Sequence, residues 1–274
     1  MNVRVRFAKY GAVKFIGHLD VLRYFQKAVR RAGLKIAYSQ GFHPHQIMSF
    51  ASPLGVGITS AGEYMDMELV AEYTPKEIVD ALNSAMVEGF TVLSARILPE
   101  PENGRKRETA MSLVTATDYA VFLKDDCMVL GRSADELCTA WKEFCNRESI
   151  TVVKHVKKSN TETTIDLKPF LYESTADACN ASEALSVVGS HKAGADYYEL
   201  DAIPDFAEEF KTTCEENDGF SVVLRVSAGS ADNIKPELVT EAFVRFLGQE
   251  PESVRWQIHR LDMYTGEHPG LKRL

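Results

Sequence analysis

Several absences set the outer limits of what this chain can be. No apolar run approaches the roughly 20 residues that a membrane helix needs. The opening "MNVRVRFAKY" holds no apolar stretch of the kind a secretory signal carries, so the expected location is the cytosol. The five cysteines, Cys127, Cys138, Cys145, Cys179 and Cys214, form no C-x-x-C pair, which excludes zinc-ribbon, thioredoxin-like and simple iron–sulfur motifs. Reduced, structural thiols are expected, with Cys138 and Cys145 sharing one buried helical face. The last absence is local. From Tyr38 to Gly57, "YSQGFHPHQIMSFASPLGVG", there is not one acidic residue, in a protein of net charge −8.

That net charge hides an asymmetry. Residues 1–60 hold nine Lys or Arg and a single acid, Asp20; residues 61–100 hold two bases and eight acids. A basic segment at the front of an acidic protein is a cue for an anionic partner such as RNA. The competing explanation is that acids of the next segment fold back and neutralise it.

Periodicity gives the element order. "NVRVRFAKYG" alternates as a half-buried strand does. "GHLDVLRYFQKAVRRAG" is helical, with Leu22, Phe25, Val29 and Ala32 at steps of three and four and Gly33 as the stop. "HQIMSFAS" and "EYMDMELVAEY" read as two strands joined by a Gly-rich turn. "TPKEIVDALNSAMVEG" is a helix opening on Thr74 and Pro75, and "FTVLSARILPE" is a strand. This β-α-β-β-α-β order is that of a split βαβ, or ferredoxin-like, unit. "PEPENGRKRET" reads as a linker. The order then recurs: strand "TDYAVFL", a helix with Ser133 and Glu136 as a capping box, a hairpin of "ITVVKHV" and "TETTIDL" turning through "KKSN", strand "GFSVVLRVSAG", helix "KPELVTEAFVRFLG" and strand "VRWQIHRLDMY". The predicted class is α+β, with two ferredoxin-like units packed together: 1–98, a linker 99–116, and 117–274. The second carries an insertion around 168–218, with a short helix over Phe206 to Cys214.

The candidate chemistry lies in the first unit. Arg23, Lys27 and Arg30 fall at i, i+4 and i+7, off the apolar face, and Arg31 extends the stripe. Like charges at such spacings repel by a few tenths of a kcal/mol per pair, which a phosphate would offset; complementing the helix dipole accounts for Arg30 and Arg31 but less well for Arg23. His18 opens that helix near Asp20, and His43 and His45 flank Pro44. These imidazoles suit RNA contact, acid–base catalysis or a metal site; the preferred reading has no metal. Ser52, Gly55, Gly57, Thr59, Ser60 and Gly62 form either a phosphate-holding loop or a plain hairpin connection. Phe42 is a candidate to stack on unpaired bases, with Tyr38 beside it, while Phe50 is expected in the core. Glu63, Asp66 and Glu68 read as solvated strand acids or partners of the basic helix, ahead of a paired-carboxylate hydrolase.

Over about the first 70 residues the chain resembles an uncharacterised bacterial family, the radical SAM-linked proteins. The resemblance is carried by Gly17 to Asp20, Arg30 to Ala32, Gly41–Phe42, Ser49 to Ala51, and Glu63–Tyr64 with Asp66, with "TTIDLKPFL" as a later point. It implies a radical SAM enzyme as partner. The C-x-x-x-C-x-x-C that would hold the cluster is absent, so no cofactor is expected of this chain. A looser likeness to CRISPR RAMP-type endoribonucleases rests on element order. The reading that follows is a non-catalytic RNA-binding or substrate-presenting partner of a radical SAM enzyme acting on tRNA, rRNA or a ribosomal component, with no membrane association. The alternatives are a metal-independent RAMP-like endoribonuclease using His18 and the loop histidines, and a protein-interaction subunit without RNA binding.

Overall fold

The computed structural model describes residues 1–101, 107–156, 161–177, 195–200, 219–229 and 232–274. In chain order the elements are β1 (Asn2–Lys9), α1 (His18–Arg31), β2 (Met48–Phe50), β3 (Thr59–Glu68), α2 (Pro75–Ser84), β4 (Phe90–Leu98), α3 (Ala110–Leu113), β5 (Ala116–Leu123), α4 (Ala134–Cys145), β6 (Thr151–Val156), β7 (Thr161–Asp166), β8 (Leu171–Asp177), β9 (Tyr197–Glu199), β10 (Ser221–Ser227), α5 (Pro236–Phe246), β11 (Trp256–Thr265) and β12 (Lys272–Arg273). The class is α+β. Two compact units are formed, one from the described residues of Met1–Val114, Val188–Asp205 and Asp262–Leu274, the other from those of Thr115–Val187 and Phe206–Leu261. No helix among the described residues is long and apolar enough to cross a membrane.

In the first unit β1 lies between β3 and β4, antiparallel to both; β2 pairs with β3, and β9 pairs with β4. The strand β1 is buried along nearly its whole length, not half-buried as its alternation predicts. Val3, Val5 and Phe7 enter the apolar core. Arg4 and Arg6, on the other face, are buried as ion pairs (7% and 1% exposed). With Lys9, also buried at 2% exposure, three of the bases counted at the front of the chain are interior charges rather than surface ones. The acid paired with Arg4, Asp66, comes from the next segment, as folding back would have it.

The helix α1 buries Val21, Phe25, Ala28 and Val29. Leu22 and Ala32, read as part of the apolar face, are partly buried against the same cluster. Gly33 follows with φ +73°, a backbone that favours glycine and stops the helix. The core is aromatic: the Phe25 ring lies 4.5 Å from Phe7, 5.6 Å from Phe50 and 5.6 Å from Phe90. Thr74 and Glu77 close the capping box of α2 with Pro75 in its first turn. The strand expected over "HQIMSFAS" shortens to Met48–Phe50. Upstream of it the chain turns back on itself, with a bridge between Tyr38 and Gln46 and the Ser39 N–H donating to the His45 carbonyl at 2.8 Å.

In the second unit β10 lies between β5 and β8, antiparallel to both, and β11 borders β5. The predicted hairpin exists, but β6 and β7 form a separate two-stranded sheet. The place it was expected to fill is taken by β8, inside the stretch read as an insertion. Its sequence, LYESTAD, has the little apolar character of an edge strand, which hid it. The same stretch supplies β9 to the first unit. Ser133 and Glu136 form the capping box of α4 as read. Trp141 packs on Phe144, Phe220 and Phe243 and donates its indole N–H to the Ser174 hydroxyl at 2.8 Å. Cys127, Cys138 and Cys145 are in no disulfide among the described residues. Cys138 and Cys145 are only partly buried, and that burial pushes both thiols up, away from the reactive thiolate. Cys179, Cys214, the "KKSN" turn, the helix expected over Phe206 to Cys214 and part of the 99–116 linker lie outside the described residues.

Four carboxylates are held below their ordinary range by local donors. They are Glu77 at the Thr74 cap, Glu136 at the Ser133 cap, Asp125 by the Arg255 guanidinium, and Asp166 by the N–H groups of Lys168 and Ile150. A depressed carboxylate contributes stability above its unfolded pKa and loses it as pH falls through the folded value. Stability should therefore be flat above about pH 5 and drop progressively below about pH 4. Circular dichroism of urea unfolding at stepped pH would read this, and Asp166→Asn should flatten the acid limb. A fall that begins near neutrality would contradict it.

Candidate nucleic-acid interface

The exposed face of α1 carries the basic stripe. Arg23 makes an exposed ion pair with Asp20 at 3.3 Å, which is worth well under about 1 kcal/mol and so yields readily to a phosphate. Lys27 is exposed. Arg30 donates from Nε to the Gln26 carbonyl at 3.3 Å. Arg31 is drawn away: its Nη2 donates to the Ala85 carbonyl at 2.9 Å, and its guanidinium lies over the Tyr24 ring. Three of the four predicted cations thus face outward, and the fourth anchors α1 to the end of α2.

The acid-free loop lies against this helix. Gln46 donates from its side-chain amide to the Gln26 carbonyl at 3.2 Å and to the Tyr38 hydroxyl at 3.4 Å, so the loop is fastened one residue from Lys27. Its fold is local: the Ser39 hydroxyl accepts from the His45 backbone N–H at 3.1 Å and bonds the His45 ring Nδ1 at 2.8 Å. Gly41, at φ +118°, makes the sharp turn. At its tip Phe42 is fully exposed, and Tyr38 is half-exposed. His43 is exposed beside Phe42.

Residues 2–197 match the family described as an uncharacterized protein conserved in bacteria (DUF2344). The chain belongs to that family. The match takes in α1, the acid-free loop and the whole run from β1 to β8, and it ends on the first residue of β9. A search of curated proteins found no match.

Other predicted site residues of this DUF2344 protein fall elsewhere. His18, the first residue of α1, sets its ring edge-on to Phe50 at 5.5 Å. It lines a void of about 10 Å³ with Phe7, Lys9 and Glu63, space for one water and no more. His18 and His45 thus have separate neighbours, and among the described residues no three His, Cys, Asp or Glu side chains group as metal ligands. Phe50 is core, as expected. The glycine loop is largely committed to itself. The Gly57 N–H donates to the Lys14 carbonyl at 2.8 Å, and the Gly55 turn packs on Ile58. Ser52 is half-buried. Ser60 is fully buried in β3, its hydroxyl accepting the Gly62 N–H, so it cannot meet an external ligand. Glu63 is buried. Asp66 pairs with Arg4 of β1, not with the basic helix, and accepts the Ala110 N–H at 2.7 Å.

Sequence reasoning missed a second cluster in the same unit. Behind β1, Arg6 approaches Glu199 at 3.2 Å and Asp262 at 3.4 Å, and Arg273 pairs with Asp262. Tyr64 donates its hydroxyl to Asp262 at 2.6 Å. Burial pushes the Tyr64 hydroxyl well up, with Asp262 adding to it, so it stays a protonated donor. Burial works against the Arg6 charge, but Asp262, Tyr64 and Glu199 outweigh it and hold Arg6 firmly charged. These partners come from positions near 199, 262 and 273, so no local motif announces them.

Proposed function

We propose that this protein is a non-catalytic RNA-binding or substrate-presenting partner of a radical SAM enzyme acting on tRNA, rRNA or a ribosomal component. The observation that carries the RNA part is Phe42: a fully exposed aromatic ring at the tip of an acid-free loop fastened at Gln26 to α1, the helix that also exposes Arg23, Lys27 and Arg30. Exposing a phenyl ring to water is costly without a ligand, and base stacking on such a ring contributes about 1–3 kcal/mol per base. Nearby guanidinium and ammonium groups supply the phosphate contacts that dominate affinity. The absence of acids over 38–57 leaves nothing in the loop to repel a phosphate backbone. The enzyme partner rests on the resemblance of the first 70 residues. The non-catalytic reading rests on the separate surroundings of His18 and His45.

Ultraviolet crosslinking to single-stranded RNA, followed by mass spectrometry of peptides, tests it. The crosslinked peptide should contain Phe42, and Phe42→Ala should weaken binding roughly 5- to 100-fold with the melting temperature unchanged. Crosslinks confined to other segments would remove this interface. RNA cleavage that persists in EDTA and vanishes in His18→Ala would favour the nuclease instead.

A further inference from the structure

A cleft lined by Arg4, Arg6, Arg96, Tyr197, Lys272 and Arg273, among others, gathers a second set of cations, distinct from α1 and its loop. It encloses about 280 Å³, close to the lower end of small-ligand pockets, about 300–1,000 Å³. Arg4 and Arg6, on the same face of β1, end up with different partners. The Nε and Nη2 atoms of Arg4 form a two-pronged bond to both oxygens of Asp66, at 2.7 and 3.0 Å. The same edge of Arg6 is only half used: its Nη2 faces Asp262 at 3.4 Å as an ion pair without a hydrogen bond, and its Nε has no hydrogen-bond partner among the described residues, although the side chain is 1% exposed. A buried guanidinium with its Nε donor unmet costs free energy that a bound oxyanion would recover.

The charge in the cleft matches. The carboxylates Asp66, Glu199 and Asp262 are shared among Arg4, Arg6 and Arg273. No carboxylate among the described residues pairs with Arg96 or Lys272, which stand exposed at the cleft. Arg96 is held flat over the Tyr197 ring at 5.0 Å. Burial raises the Tyr197 hydroxyl to about 12, so it remains a donor, committed to Glu199 at 2.9 Å. Two side-chain cations outside the side-chain ion pairs, with the Arg6 Nε behind them, suit an anion that presents several oxygens to donors on different sides. A phosphoryl group, carrying about −1.5 to −2 at neutral pH, fits this better than a single carboxylate. We propose that this cleft binds the phosphoryl group of a small phosphorylated compound or free phosphate, with Arg6 as its floor and Arg96 and Lys272 as its rim.

The test is isothermal titration of the full chain at fixed ionic strength with inorganic phosphate, ribose 5-phosphate and, as a control, succinate. One site for phosphate-bearing probes is expected, with succinate much weaker. Tighter binding of ribose 5-phosphate would identify a phosphorylated small molecule, and equal binding would identify free phosphate. The double variant Arg96→Ala/Lys272→Ala alters only exposed side chains and should fold; its affinity should fall by about tenfold or more. Replacement of Arg23, Lys27 and Arg30 should leave this binding unchanged. No binding at millimolar phosphate, equal binding of succinate, or loss of phosphate binding only in the α1 variant would each overturn the assignment.

Discussion

Replacing Arg23, Lys27 and Arg30 together by alanine is expected to weaken RNA binding for every sequence tested and to lower the salt slope by about two units. Each lost phosphate contact lowers the slope by about 0.7 on single strands. The effect should be uniform because phosphate contacts position a strand without reading its bases. All three side chains are exposed, so folding stability should move by no more than about 0.5 kcal/mol. Arg31 is left out of the set: its bond to the Ala85 carbonyl ties α1 to α2, so removing it mixes a structural loss into the binding loss. Fluorescence anisotropy with a labelled oligonucleotide at several salt concentrations reads both slope and affinity. An unchanged slope in a folded variant would place any phosphate contacts elsewhere. Loss of binding to one sequence only would point to base readout, not a charged stripe.

The parts of the fold set by short-range chemistry are legible in the sequence. The α1 face through Phe25 and Val29, the helix start at Thr74 and Pro75, the capping box at Ser133 and the stop at Gly33 each follow from a few neighbouring residues, although that face turns towards Val21 and Ala28 and leaves Leu22 and Ala32 only partly buried. Pairing is less legible. The strand β8 is almost as polar as a loop, and only its register with β10 makes it a strand. The hairpin of β6 and β7 has strong alternation and still lies outside the main sheet, because periodicity reports a pleated surface and not which neighbour it meets. Burial of charge is least legible of all. Arg4 and Arg6 carry the alternation of solvent-facing residues, and only the arrival of Asp66, Glu199 and Asp262 makes their burial tolerable. At the candidate interface, the sequence marks Phe42 and the α1 cations, and the structure leaves those side chains exposed. It does not separate Gly57, whose N–H is used internally, from a glycine left open to a ligand.

Phe25→Ala should produce the largest loss of stability of any single change in the first unit. The ring is fully buried and touches Phe7, Phe50, Phe90 and Tyr24, with centroids between 4.5 and 5.7 Å away. Truncating such a phenylalanine costs about 3–5 kcal/mol from lost transfer energy and the cavity left behind. Whole domains are stable by only about 5–15 kcal/mol. Four rings meet Phe25 from one neighbouring residue and three strands, so no single side chain can collapse into the space. Phe25→Leu keeps more of the volume and should cost much less. Urea unfolding followed by circular dichroism would read the midpoint shift. RNA binding should then fall only in proportion to the unfolded fraction, and the salt slope of the folded remainder should match the parent. That pattern separates the residue that holds α1 in place from the residues α1 presents. A cost below about 1 kcal/mol would mean that the aromatic cluster is not what fixes the helix, and a changed salt slope would mean that α1 shifts on the sheet when the ring is removed.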